Sequence, residues 1–216
     1  MRALAGDRLA LEGGREVRLA GVEAPTPDAP WGVAARAALE RLAAGRRVDL
    51  LQTGATGDAT GVAVAQVRVA DGPWLQAALV EGGFVRVRPR PGERALAADL
   101  LRHETAARAR RRGVWSEGAY GVRLPDEFGW SDSGLQLVEG RVRRVGRHGG
   151  RTYLDFADEY RGRVSAEIDG RALRDWRAAG LDPESLRGRL VRVRGPVQGF
   201  HMTVEAPEAV EVLRQR

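Results

Sequence analysis

The stretch from Ser116 to Gly134, S-E-G-A-Y-G-V-R-L-P-D-E-F-G-W-S-D-S-G, limits the possible folds more than any other feature of the chain. It is rich in turn formers and carries neither the 3.6-residue nor the two-residue hydrophobic period. On either side the sequence is strand-rich, so the break predicts two domains, at 1–117 and 135–216, with a linker at 118–134. A chain of 216 residues holds one large domain or two small ones.

Within the first segment, L9-A-L11 and V17-R-L-A-G-V22 read as strands around the turn E12-G-G-R15. A helix over W31-G-V-A-A-R-A-A-L-E-R-L-A-A44 has Val33, Ala37, Leu39 and Leu42 as its apolar positions, and Gly45 stops it. Strands follow at 47–51 and 61–69, a short helix at 74–80, a strand at 84–88 and a long helix at 93–112. The second segment predicts strands at 137–145, 152–156, 163–168, 190–194 and 202–205, with a helix over 171–179. Five strands with a helix between the third and fourth is the order of an OB-type barrel.

The formal charge of +6 and the pI near 10.9 point toward a polyanionic partner. All 35 basic residues are Arg, however, and the chain has no Lys or Asn and a single Ile, Ile168, the signature of GC-rich codon usage in an arginine-rich bacterial protein. Where the Arg residues cluster is therefore more informative than how many there are. No run of about 18 apolar residues spans a membrane, and no signal peptide is visible. The expected localisation is cytoplasmic if the chain is complete, and periplasmic or secreted if a leader was removed. The absence of Cys excludes disulfides and thiolate chemistry. His103, His148 and His201 show no metal-ligand spacing.

Five stretches in the first segment, A5-G-D-R-L-A-L11, V17-R-L-A-G-V-E-A-P25, G61-V-A-V-A-Q-V67, D71-G-P-W-L-Q-A-A-L-V-E-G-G83 and H103-E-T-A-A-R-A-R-R-R-G-V-W-S-E117, resemble the staphylococcal-nuclease-like (thermonuclease) family in order and spacing. The resemblance implies an OB-type barrel with packed helices and, in active members, calcium-dependent cleavage of DNA and RNA. Such chemistry needs carboxylates for the metal, a base to deliver water, and guanidinium groups for the developing charge. Carried over residue by residue, the resemblance assigns the metal acids to Asp7 and Glu23 and the first phosphate-clamping Arg to Arg18. The general base falls on Thr26 and the second Arg on Val62, while a further acid falls on Ala5. Thr26 cannot accept a proton at neutral pH and Val62 carries no charge, so the pattern implies a degenerate site. Asp28, or an Arg from the 86–90 stretch, is the means by which a rearranged site would be rescued.

The second segment resembles a C-terminal module that accompanies nuclease-like domains in some bacterial proteins, through E139-G-R-V-R-R-V145, R151-T-Y-L-D-F156, D182-P-E-S-L-R-G188, V191-R-V-R-G195 and the run from Pro207 to Val212. Its alternation sends Val142, Val191, Val193, Leu154 and Phe156 inward and Arg141, Arg143, Arg192, Arg194, Arg151 and Tyr153 outward. A basic face around an aromatic suits single-stranded nucleic acid; a solvated face in an arginine-rich chain has the same pattern.

The expectations are a mainly β, α+β protein of two OB-type barrels, the first nuclease-like. It binds nucleic acid through Arg86, Arg88, Arg141, Arg143, Arg151, Tyr153, Arg192 and Arg194 and has no intact catalytic set. No cofactor is expected; a weak Ca²⁺ site at Asp7 and Glu23 is the less favoured alternative. The alternatives are an interaction subunit docking onto a protein partner, and a weak metal-dependent nuclease.

Overall fold

Strands of two to seven residues with one apolar side must curl to cover it, and the first half of the chain does so. The computed structural model describes residues 1–54, 56–157 and 163–213 and divides into two units, Met1–Glu117 and Gly118–Arg216. The first unit contains β1 (Arg2–Ala5), β2 (Arg8–Ala10), β3 (Glu16–Leu19), β4 (Val22–Glu23), α1 (Pro30–Ala43), β5 (Val48–Leu51), β6 (Ala63–Val69), α2 (Leu75–Glu81), β7 (Arg86–Val87) and α3 (Ala97–Ala109). Its main sheet runs β1-β2-β3-β6-β5, and β4 pairs with β7. Strands β3 and β6 are parallel, which requires a crossover, and α1 with β5 supplies it. The core gathers Leu9, Val17, Leu19, Leu39, Val67, Leu75, Leu79 and Leu100.

Two helices depart from expectation. Val33 is exposed, and α1 instead buries Gly32, Ala35, Ala38, Leu39 and Ala43. The reason is close approach: a Cβ on Gly32 would lie 1.9 Å from the Thr26 carbonyl oxygen, and one on Gly6 would lie 2.5 Å from the Ala35 Cβ. Only small residues fit this interface, so the larger apolar residue points outward. Helix α3 begins at Ala97 rather than at residue 93, because the Glu93 side chain is drawn into the strands. The same helix anchors β7 through Glu104, whose Oε1 accepts the Val87 N–H at 2.8 Å. Trp115 is buried, while Trp31 and Trp74 are half-buried and donate their indole N–H groups to Glu117 and Gln66.

The second unit contains β8 (Val122–Arg123), β9 (Ser133–Arg141), β10 (Arg144–His148), β11 (Arg151–Asp155), β12 (Ser165–Ile168), α4 (Ala172–Ala178), β13 (Leu190–Gln198), β14 (His201–Thr203) and β15 (Val210–Val212). The sheet order is β10-β11-β12-β14-β13-β9-β8, with β15 on β13. Counting from β10 and leaving out β15, this is the first-second-third-fifth-fourth order of the first unit. It has the same parallel third–fifth pair, here β12 with β14, and α4 again lies between the third and fourth strands. The strand expected over 137–145 is broken at Val142 and Arg143. Val142 N–H donates to Arg189 and Arg143 N–H to Asp155, so β9 pairs with β13 and β10 with β11. This bend joins the two ends of the sheet. The architecture is mainly β with accessory helices, as expected, and the first unit has the strand order of an OB-type fold.

Residues 118–134 are not a separate linker. Val122 and Arg123 pair with Leu137 and Val138, and Phe128 is part of the core of the second unit. The Arg123 guanidinium lies 4.1 Å from the Phe128 ring centroid and holds Asp132 through two contacts, at 2.7 and 3.1 Å. An aromatic and an ion pair fix this segment without any periodicity. Among the described residues, no helix is long and apolar enough to cross a membrane.

Candidate functional site

The two strand segments flanking Gly21 bring Arg18 and Glu23 to one region, with Asp7 arriving on the β1–β2 turn. Arg18 is buried, and its guanidinium makes a two-point contact with Glu93, at 3.1 and 2.6 Å. Its Nε lies 3.4 Å from Asp58 Oδ2. Glu93 also accepts the Gly21 N–H at 2.8 Å. Glu23 Oε2 is held by Arg90 at 2.8 Å and by Arg88, and Arg90 donates to the Val22 carbonyl as well. Asp7 accepts the Ala24 N–H at 3.3 Å. Four carboxylates (Asp7, Glu23, Asp58, Glu93) thus face four guanidinium groups (Arg8, Arg18, Arg88, Arg90), with Arg8 3.6 Å from Asp58.

The electrostatics follow from this mutual pairing. Burial disfavours the charged form of Asp7 and raises its pKa, with Glu23 adding to the effect against the Ala24 N–H and nearby Arg residues. Burial would lower the pKa of Arg18, but the hydrogen bonds and charge of Glu93, followed by Asp58, outweigh it and hold the group charged. Asp58 is drawn down to about 2, first by the Thr60 hydroxyl, then by the Thr60 and Val62 N–H groups and Arg18, against a smaller burial penalty. Burial lowers the pKa of Arg90, as do the neighbouring Arg88 and Arg18.

The positions implied by the nuclease resemblance fall as follows. Thr26 is exposed, its carbonyl accepting the Ala29 N–H. Val62 gives only its backbone, to Asp58. Asp28 is exposed, and no hydrogen bond or ion pair among the described residues ties it to the cluster. Arg88 and Arg90 do reach in, onto Glu23. Among the described residues, no group of three or more His, Cys, Asp and Glu is disposed to hold a metal ion. Sequence reasoning missed Asp58 and Glu93, which lie 40 and 75 positions from Arg18 along the chain.

The expected nucleic-acid-binding residues separate into distinct environments. Arg86 and Arg194 are buried, and Arg194 contacts Glu211 at 2.6 Å. Arg192 is held between Glu139 and Glu211, at 2.8 and 3.4 Å. These two therefore do not present a basic outer face. Arg141 is exposed and donates to the Gly188 carbonyl at 2.6 Å; Arg143 is exposed.

Arg151 and Tyr153 belong to another surface. Strand register places Gly146, Tyr153, Glu167 and Thr203 in one outward row, and Arg144, Asp155, Ser165 and His201 in the next. Gly146 has no side chain to cover its neighbour Tyr153. The resulting cleft of about 640 Å³ is lined by Arg144, Arg147, His148, Arg151, Tyr153 and His201, with Asp155 and Glu167. Arg144 pairs with Asp155 at 2.8 Å and Arg151 with Glu167 at 3.1 Å, yet both arginines are more than half exposed. The pair of Arg151 with the half-buried Glu167 is worth only about 0–1 kcal/mol, so Arg151 can exchange partners. Asp155, in contrast, is buried and also accepts the Ser165 hydroxyl, which keeps Arg144 on it.

A search of curated proteins found no match to the chain. The family model for staphylococcal nuclease homologue matches residues 16–117, from the first residue of β3 to the end of the first unit, so Asp7 lies outside the matched stretch. Residues 16–117 are therefore similar to staphylococcal nuclease homologues, over 102 of the 216 residues.

Proposed function

We propose that this is a single-stranded nucleic-acid-binding protein in which the nuclease-homologue unit does not perform calcium-dependent cleavage and the second unit, an OB-type barrel, supplies the binding face. The observation that carries the proposal is the cleft around Tyr153, an aromatic left uncovered by Gly146 and flanked by Arg144 and by the exchangeable Arg147 and Arg151. Phosphates would take Arg147 and Arg151 from Asp182 and Glu167 while a base stacks on the phenol ring. The first unit supports the loss of cleavage. Arg18 spends its guanidinium on Glu93 and Asp58, and Glu23 is neutralised by Arg88 and Arg90. Thr26, at the position of the base, carries only a hydroxyl. Loss of one preorganised donor costs ~10²–10³ in rate and loss of a general base typically ~10²–10⁴.

The deciding experiment measures binding and hydrolysis of single- and double-stranded substrates with calcium and with chelator, over a range of salt. The expected result is single-strand binding that weakens steeply with salt and no calcium-dependent product. Calcium-dependent hydrolysis abolished by Arg18→Ala would overturn the loss of cleavage. A salt-insensitive complex with a co-purifying protein would favour an interaction subunit instead.

A further inference from the structure

Trp130 is 86% exposed, the most exposed large apolar side chain of the described residues. It is nevertheless held in place. Its ring stands edge-on to Phe200, with centroids 4.8 Å apart and planes at 83°. The turn between β13 and β14 is tied to the Trp130 loop by Gly199 N–H donating to the Asp132 carbonyl at 2.9 Å. Asp132 is itself fixed by Arg123 and by the Gly129 N–H at 2.7 Å. Gly199 allows the close approach: a Cβ there would lie 3.6 Å from Trp130 Cε3, and its φ of +61° disfavours a side chain.

The indole is also a continuation of something. Phe200 is followed by His201, which lines the Tyr153 cleft. Tyr153 lies two strands from β14, about 10 Å across the sheet. Tyr153 on β11, His201 on β14 and the Phe200–Trp130 pair at the β13–β14 turn thus succeed one another across this side of the unit, with Phe200 seated on the core beneath Trp130. The exposed residues beside Trp130 are polar: Ser131 and Ser133, and Gln198, which is in register with both Ser133 and His201. A protein-docking patch would place more apolar surface around the ring. A lone, oriented aromatic on the turn that precedes His201, a lining residue of the cationic cleft, is suited to stacking a base.

We propose that Trp130 is a second nucleobase-stacking platform that extends the Tyr153 face over the β13–β14 turn. This rests on the single-strand-binding reading above. It is tested by titrating the full chain with dye-labelled oligothymidylates of ~4 and ~12 nucleotides at ~50 mM salt. Trp130→Ala, Trp130→Phe and Tyr153→Ala are compared with wild type, and thermal melts show that each variant is folded. The expected result is that Trp130→Ala weakens the longer oligonucleotide about ten-fold and leaves the shorter one, which Tyr153 alone can seat, unchanged. Trp130→Phe keeps most of the affinity, while the quenching of indole emission by the longer strand is lost. If Tyr153→Ala weakens both strands and Trp130→Ala neither, the inference fails and the binding reading stands. If wild type binds neither strand, the reading itself fails and takes the inference with it.

Discussion

Arg18→Ala is the most informative perturbation of the first unit, because the structure makes its cost large and specific. The substitution removes both guanidinium contacts to Glu93 and the contact to Asp58. Glu93, only 3% exposed, is left with the Gly21 N–H and with Arg90 at 3.8 Å. Breaking a buried pair from one side costs about 3–5 kcal/mol, a shift of roughly 10–25 °C for a unit of this size. Replacing both partners, as in Arg18→Met with Glu93→Leu, recovers most of the loss, since no uncompensated charge remains. A residual cost of about 1 kcal/mol is expected because Gly21 N–H loses its acceptor. Thermal and urea unfolding of the full chain, followed by far-UV circular dichroism, reads this as movement of one transition while that of the second unit stays in place. A loss below about 1 kcal/mol for Arg18→Ala would refute the reasoning. It would mean that the pair opens readily to solvent and that Arg18 is available to a phosphate.

Asp58 has a folded pKa of about 2 against an ordinary value of 3.8, so its contribution of about 2 kcal/mol is present above pH 4 and is lost as the pH falls toward 2. The stability gap between wild type and Asp58→Asn, followed by thermal melts from pH 6 to pH 2, should close over that window. Asp7 has the opposite sign: its raised pKa means that the charged form opposes folding at neutral pH, and stability rises as the pH falls toward the unfolded value. Asp7→Asn should therefore raise the melting temperature at pH 7 and have no such benefit near pH 4. In the second unit, Tyr153→Ala should weaken single-strand binding about ten-fold at every salt concentration. Arg147→Ala should reduce the slope of log K against log salt by about one.

What could be read in the sequence was what local pattern encodes. Arg18 and Glu23 sit in a contiguous stretch, and their places follow from it; Arg151 and Tyr153 follow from alternation along a single strand. The partners that decide the behaviour of Arg18 are not local: Asp58 and Glu93 come from other loops, and no periodicity records side-chain pairing across 40 or 75 positions. Alternation also failed for Arg192 and Arg194, because Glu139 and Glu211 on the flanking strands cover the side that a lone strand would leave to solvent. Val33 was misplaced for a different reason: α1 approaches its neighbours so closely that glycine and alanine, rather than valine, make the interface. Trp130 was hidden in a stretch that lacks periodicity and so resembles a linker, although its loop is fixed by Arg123 and Asp132.

The bend at Val142 and Arg143 bears on biosynthesis. Strand β9 pairs along its whole length with β13, and β13 leaves the ribosome only after β10, β11, β12 and α4. Until then the edge of β9 that receives β13 is open over nine residues, because β8 pairs with the opposite edge. Unpaired edges of this kind template association with other chains. The second unit is thus most exposed to aggregation during the interval in which its hairpins are already made and its closing strand has not yet been translated.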